Sequence, residues 1–248
     1  MMIEKGVKIA PPEGKLGVLI PGLGAVSTTF ITGVFSIRRG LSRPIGSMTQ
    51  MGSIRLGKRT DKNNPLVKDF VPLADLNQLV FGAWDPFADN AYESATKASV
   101  LKKEHLDPIR EELEAVQPMP AVFDRQYCRN IDGPNVKKAP TKYDLAQQLI
   151  EDIQNFKAKN GCSRLIMIWC GSTEIFIPES EVHGSLEALE AGLKRNDENI
   201  PSSMIYAYAA IKLGIPFANG APNLSCDILA LEELARANKT PIAGKDFK

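Results

Sequence analysis

Apolar residues fall into short unbroken runs and into helically spaced stripes, and the two kinds alternate along the chain. Leu16, Val18, Leu19 and Ile20 make the first run, which stops at Gly22. A run of that length bounded by Gly or Pro suits a buried strand. The small residues that follow predict a helix over Ala25 to Ile37. The next run, Leu79 to Trp84, predicts a strand ending in Asp85-Pro86. Helical spacing covers Asn90 to Leu101 and, with Pro108 in its first turn, Asp107 to Val116. Met119 to Phe123 suits a short strand. Tyr143, Leu145, Leu149, Ile153 and Phe156 stripe one face of a helix over Thr141 to Lys159, with Asn160-Gly161 as its stop. Arg164 to Cys170, RLIMIWC, is apolar almost throughout, as strands covered on both faces are. Helices follow over Gly184 to Asn196, Ser202 to Leu213 and Cys226 to Asn238. Strands follow over Ile215 to Ala218 and Thr240 to Gly244. Alternation of this kind, without repeats, predicts a doubly wound α/β domain with a mostly parallel sheet over 1–248.

Two stretches break the pattern. Residues 38–72 read as an insertion rich in Gly, Ser, Met and Arg, with one short strand over Ser53 to Leu56. Gly52 to Lys58 within it spells G-x-x-x-x-G-K, yet Arg59 stands where a phosphate-binding loop needs Ser or Thr. No apolar strand precedes it and no helix follows, so this is no nucleotide site. Arg129 to Pro140, polar and rich in Gly, Pro and Lys, reads as an exposed, mobile loop.

Composition narrows the function classes. Hydrophobic residues at 44% and charged residues at 24% are those of a globular protein. Lys and Arg number 30 against 29 Asp and Glu, so charge suggests neither a nucleic-acid nor a membrane partner. No signal peptide or spanning segment is evident, which makes a cytoplasmic location the expectation. Cys128, Cys162, Cys170 and Cys226 show no C-x-x-C spacing and read as reduced, mostly buried thiols. His105 sits in a charged helical run and His183 is the only other histidine, so no metal site is expected.

Candidate chemistry gathers at the ends of the predicted strands. Gly22-Leu23-Gly24 follows the first strand and opens the first helix. Gly22 can turn where other residues cannot, Gly24 lets a ligand approach the main chain, and the helix's first N–H groups can donate to a pyrophosphate. Ser27 replaces the third glycine of G-x-G-x-x-G, so an ordinary strand-to-helix turn is an equal reading. A dinucleotide fold needs an acid some 20 residues on, at the end of the second strand. Ser36 to Thr60 contains none. Asp85 fits that place if the insertion displaces the strand; alternatively it caps a helix beginning near Asp89. Gly171-Ser172-Thr173-Glu174 and Asn219-Gly220-Ala221-Pro222-Asn223 follow later strands, where ligands of open α/β sheets bind, although the first could be a simple helix cap.

Taken together and in order, GLGAVSTT (22–29), the WD at 84–85 with NAYESATKASVL, WCGSTE (169–174), RNDENIPSS (195–203), PFANGAPN (216–223) and the terminal AGKDFK resemble the inositol-phosphate synthase family. The resemblance runs nearly end to end. It implies a Rossmann-like fold, NAD as cofactor and glucose 6-phosphate as substrate. Gly22, Gly24, Ala25, Val26 and Ser27 would hold the pyrophosphate, Asp85 the adenosine ribose, and Ser172 and Thr173 would lie beside the cofactor. Asn219, Gly220, Ala221 and Asn223 would line the nicotinamide and substrate-phosphate end, with Asn219, Asp246 and Lys248 as catalytic contributors. The implied chemistry is oxidation at C5 of the sugar, aldol closure of C6 onto the C1 aldehyde, and reduction, with lysines stabilising the developing oxyanions. This sequence departs from the family at His183-Gly184-Ser185, often Asn-Asp-Thr; at Ala221, often Ser; and at Lys245, often Asp. The family's second part, which carries further lysines and the tetramer-forming sheet, is expected to lie outside this chain. By itself the chain is then expected to bind NAD weakly and to lack synthase activity. A dehydrogenase of another substrate and a non-catalytic nucleotide-binding protein are the alternatives.

Overall fold

Six parallel strands form one sheet in the order β3-β2-β1-β4-β5-β6: β1 (Lys15–Pro21), β2 (Leu79–Asp85), β3 (Pro118–Pro120), β4 (Cys162–Trp169), β5 (Phe217–Asn219) and β6 (Ile242–Ala243). The computed structural model describes residues 12–247, so Lys248 lies outside the described residues. Strand order reverses between β1 and β4, the arrangement of the doubly wound fold. β1 is buried from Gly17 to Pro21, because it is paired on both edges and covered on both faces.

Each face has its own core. On one, α1 (Ala25–Arg38), α2 (Ala91–Ala98) and the helical turns between 103 and 114 bring Ile31, Phe35, Ala95 and Leu113 against Val18, Ile20 and Phe81. On the other lie α3 (Lys142–Asn160), α4 (Leu186–Lys194), α5 (Ser202–Lys212) and α6 (Leu229–Ala237). In α5 every residue from Ser202 to Ile211 is buried, so it is the central helix of that layer and not an amphipathic cover. α3 starts in a reciprocal cap between Thr141 and Asp144 and stops at Gly161, whose φ is +62°.

The expected elements form, with three corrections. The strand expected over Ser53 to Leu56 reduces to a single antiparallel bridge, Ser53 to Leu66, because the flanking glycines and exposed side chains give it no face to bury. The third strand is shifted toward the N-terminus, Pro118–Pro120 instead of Met119 to Phe123. The loop over Arg129 to Pro140 is not a free excursion in its second half. Asn135 N–H donates to Pro86 O at 2.8 Å, Lys137 N–H to Ala121 O at 2.8 Å, and Lys137 Nζ pairs with Asp152 at 2.9 Å. The loop thus covers the outer edge of β3, satisfying backbone groups that the sheet leaves open.

Candidate functional site

The glycine turn is held by main-chain contacts that only glycine at its first position allows. Gly22 N–H donates to Trp84 O at 2.8 Å, its φ is +94°, and a Cβ there would lie 2.5 Å from the Cα and N of Gly171. Gly24 is different. It is the N-cap of α1 in an extended conformation, no side chain caps the helix, and a Cβ there would meet nothing within 4 Å. The first turn of α1 carries no acidic residue. Ala25 and Val26 are exposed in that first turn, with the positive end of the helix behind them, a fit for a pyrophosphate. Ser27 is fully buried, and its hydroxyl donates to Gly22 O at 2.8 Å and Gly24 O at 3.1 Å.

Asp85 stands at the tip of β2 beside that turn. Its Oδ2 accepts from Leu23 N–H at 2.7 Å and its Oδ1 from Phe87 N–H at 2.9 Å. The helix that follows is capped by Asn90, through reciprocal bonds with Glu93 at 3.0 Å. Asp85 is thus not that helix's cap. Burial raises its pKa, against the lowering effect of the two N–H donors. Each carboxylate oxygen retains a second lone pair, enough for a ribose diol.

Between these groups lies a cavity of about 420 Å³, lined among others by Gly24, Asp85, Val122, Cys128, Ser172 and Tyr206. Ser172 reaches it from the end of β4; Thr173 is exposed and does not line it. Trp84 and Tyr206 close the floor, their rings 5.6 Å apart at 65°.

The 219–223 loop lies beyond the cavity wall and is tied to itself. Asn219 is buried, its Nδ2 donating to Asn223 O at 2.8 Å and its Oδ1 accepting from Ala221 N–H at 2.9 Å. Gly220 and Phe247 meet: Phe247 N–H donates to Gly220 O at 3.3 Å. The C-terminal segment with Asp246 is thereby brought to this loop, and Lys245 Nζ pairs with Asp227 at 2.9 Å. His183 accepts from Ser180 N–H at Nδ1, its Nε2 lies 2.8 Å from Asn199 O, and Ser185 caps α4.

The wall itself contains a group that sequence reasoning passed over. Glu174 is 5% exposed and burial pushes its carboxyl up to about 7. The signal available was a carboxylate directly after a strand-end loop, between apolar runs; nothing in the pattern says that it turns inward.

A helix N-terminus open at the end of β1, an acid at the tip of β2 and a cavity where strand order reverses define a dinucleotide-binding domain of the doubly wound class. Residues 16–248 match the NAD-binding family model described as Myo-inositol-1-phosphate synthase. The chain belongs to the myo-inositol-1-phosphate synthase family, and its cofactor is NAD. It is 49% identical over 243 residues to inositol-3-phosphate synthase 1 of Bacteroides thetaiotaomicron, a match covering 97% of this chain and 56% of that protein. Against inositol-3-phosphate synthase 1 of Oryza sativa the identity is 30%, over 94% of this chain and 49% of the relative. The crystal structure of inositol-3-phosphate synthase from Caenorhabditis elegans superposes with a TM-score of 0.86 at 24% identity, over 95% of this chain and 49% of that one, which shows the shared fold. The chain spans about half the length of the curated relatives it matches.

Proposed function

We propose that this chain is the NAD-binding part of an inositol-3-phosphate synthase, which as a whole converts glucose 6-phosphate to 1D-myo-inositol 3-phosphate. The observation that carries this reading is the uncapped N-terminus of α1 beside Asp85 at the rim of one cavity. Bound NAD supplies a reversible two-electron oxidant, suited to a reaction whose substrate and product are at the same oxidation level.

The residues divide the work. Gly22 and Gly24 shape the turn, and the N–H groups of Ala25, Val26 and Ser27 bind the pyrophosphate. Asp85 accepts from the adenosine ribose, while Ser172 flanks the cofactor and Thr173, outside the cavity, does not. Asn219, Gly220, Ala221 and Asn223 form the nicotinamide and substrate-phosphate end. There the side-chain amide of Asn219 is spent on the loop, so its contribution is to hold the backbone in place. Asp246 and Lys248 complete that end, and further cations come from the remainder of the full-length protein, a cytoplasmic homotetramer. Preference for NAD over NADP follows from Asp85, whose charge opposes a 2′-phosphate. Arg38 supports it, since its guanidinium donates to the carbonyls of Leu76 and Leu79.

Incubating the full-length protein with NAD and glucose 6-phosphate tests the reading. Inositol phosphate should accumulate without net NADH. Stoichiometric NADH would indicate a dehydrogenase, and NAD binding without product a non-catalytic protein. The 248-residue chain should bind NAD weakly and form no inositol phosphate.

A further inference from the structure

We propose that Glu174 is a positioning residue, which locks the 219–223 loop to the cofactor crevice by holding Asn223 and the start of α5 together. The proposal rests on the NAD reading above and deepens it.

Three elements meet at this carboxylate. Glu174 itself follows β4 and lines the cavity. Its Oε1 accepts from Ser203 N–H at 3.0 Å, in the first turn of α5. Its Oε2 accepts from Ser203 Oγ–H at 2.5 Å and from Asn223 Nδ2 at 3.0 Å. Asn223 answers with its Oδ1, 3.4 Å from Glu174 N–H, and its backbone oxygen takes the Asn219 amide. One hydrogen-bonded path therefore runs from the cavity wall through Asn223 and Asn219 to Ala221 N–H.

Among the described residues, no cation contacts Glu174. Lys142 acts on it at a distance, and its three Nζ protons go to Tyr127 Oη, Asp197 O and Ile200 O, each at 2.7 Å. A buried carboxylate held by neutral donors is a costly way to fill space. What it uniquely offers is acceptor capacity at both oxygens. A glutamine would turn its NH₂ toward either Ser203 N–H or the Asn223 amide, donor against donor. The pairing with Asn223 is thus directional, carboxylate on one side and amide on the other.

That direction supplies the test. Dissociation constants for NAD and for ADP-ribose, which lacks the nicotinamide, are measured by calorimetry on the wild-type chain, E174Q, N223D and E174Q/N223D. Each single variant is expected to weaken NAD at least tenfold while leaving ADP-ribose within about twofold, because ADP-ribose engages only the glycine turn and Asp85. The double variant exchanges carboxylate and amide and should recover NAD affinity to within about threefold of wild type. The proposal is overturned if the single variants bind NAD normally, if both ligands weaken equally, or if the double variant is no better than the worse single. Should the single variants fail to fold, the double variant decides: folding with restored NAD affinity supports the pairing, and failure overturns it. A wild-type chain that binds neither ligand overturns the NAD reading itself, whereas normal NAD binding with indifferent variants overturns only the role of Glu174.

Discussion

Leu23 N–H donates to Asp85 Oδ2 at 2.7 Å, so the acid at the tip of β2 grips the glycine turn at the tip of β1. The carboxylate proposed to bind the ribose also builds the glycine turn. Asp85→Ala strands the part-buried Leu23 N–H and frees the exposed Phe87 N–H to water, and is expected to cost about 1–3 kcal/mol of folding stability as well as NAD affinity. Asp85→Asn keeps one acceptor and sets a donor against the other N–H, so its stability should fall between the two. Urea unfolding measures the first effect and calorimetry the second. A wild-type urea midpoint in D85A would contradict the grip.

The two glycines of the turn should respond in opposite ways. Gly22→Ala forces a side chain into a left-handed conformation and onto the Gly171 backbone, a loss of about 2 kcal/mol or more. Gly24→Ala adds a methyl in open space with φ at −90°, and should cost less than about 1 kcal/mol. That methyl occupies the approach to the helix N-terminus, so NAD binding should weaken far more than stability does. Thermal unfolding with and without NAD separates the two: G22A lowers the midpoint in both conditions, and G24A removes only the shift that NAD produces.

The sheet was legible because its signals are local and redundant. RLIMIWC can be little other than a covered strand, and the Thr141 to Gly161 helix announces its start, face and stop. Where a signal depended on a distant partner, reading failed. Pairing of Lys137 with Asp152 and of Asn135 with Pro86 turns a polar loop into an edge cover, and no spacing rule connects those positions. Asp85 was legible as an acid after a strand, but its grip on Leu23 spans 62 residues. Glu174 was harder still. Its neighbours in sequence are those of an exposed loop, and its inward turn is decided by Ser203 and Asn223.

Glu174 also predicts a pH dependence of stability. Burial is the main cause of its raised pKa, about 7 against an ordinary 4.5, offset in part by the Ser203 and Ser202 donors and by Lys142. Tyr127, Cys128 and Tyr206 feel its charge in turn. Between those two values the folded chain binds more protons at this site than the unfolded chain. Stability from this group is therefore complete below about pH 4.5 and lost as pH rises through about 7. The wild-type chain should lose on the order of 3 kcal/mol across that window relative to E174Q, which has no proton to release. Urea unfolding of both proteins at pH 5 and pH 8 gives the difference directly. Parallel curves would mean that the carboxylate is already charged when folded at pH 5.

Ser27 turns the imperfect third position of the glycine motif into a testable departure. In a G-x-G-x-x-G turn the third glycine lets helix and strand pack closely; here the hydroxyl occupies that space and binds the carbonyls of both earlier glycines. Ser27→Gly completes the motif in sequence yet removes both bonds and adds backbone freedom in the first turn of α1, so it should destabilise the chain by about 1–2 kcal/mol. Ser27→Ala keeps the helix propensity and should lose about 1 kcal/mol, from the Gly22 carbonyl alone, because Gly24 O keeps Thr28 N–H at 3.0 Å and Thr28 Oγ1 at 2.9 Å. Neither change removes the backbone N–H proposed to bind the pyrophosphate. NAD affinity, measured well below the unfolding transition, should then stay within about threefold of wild type in S27A, and a larger loss would show that the hydroxyl itself reaches the pyrophosphate.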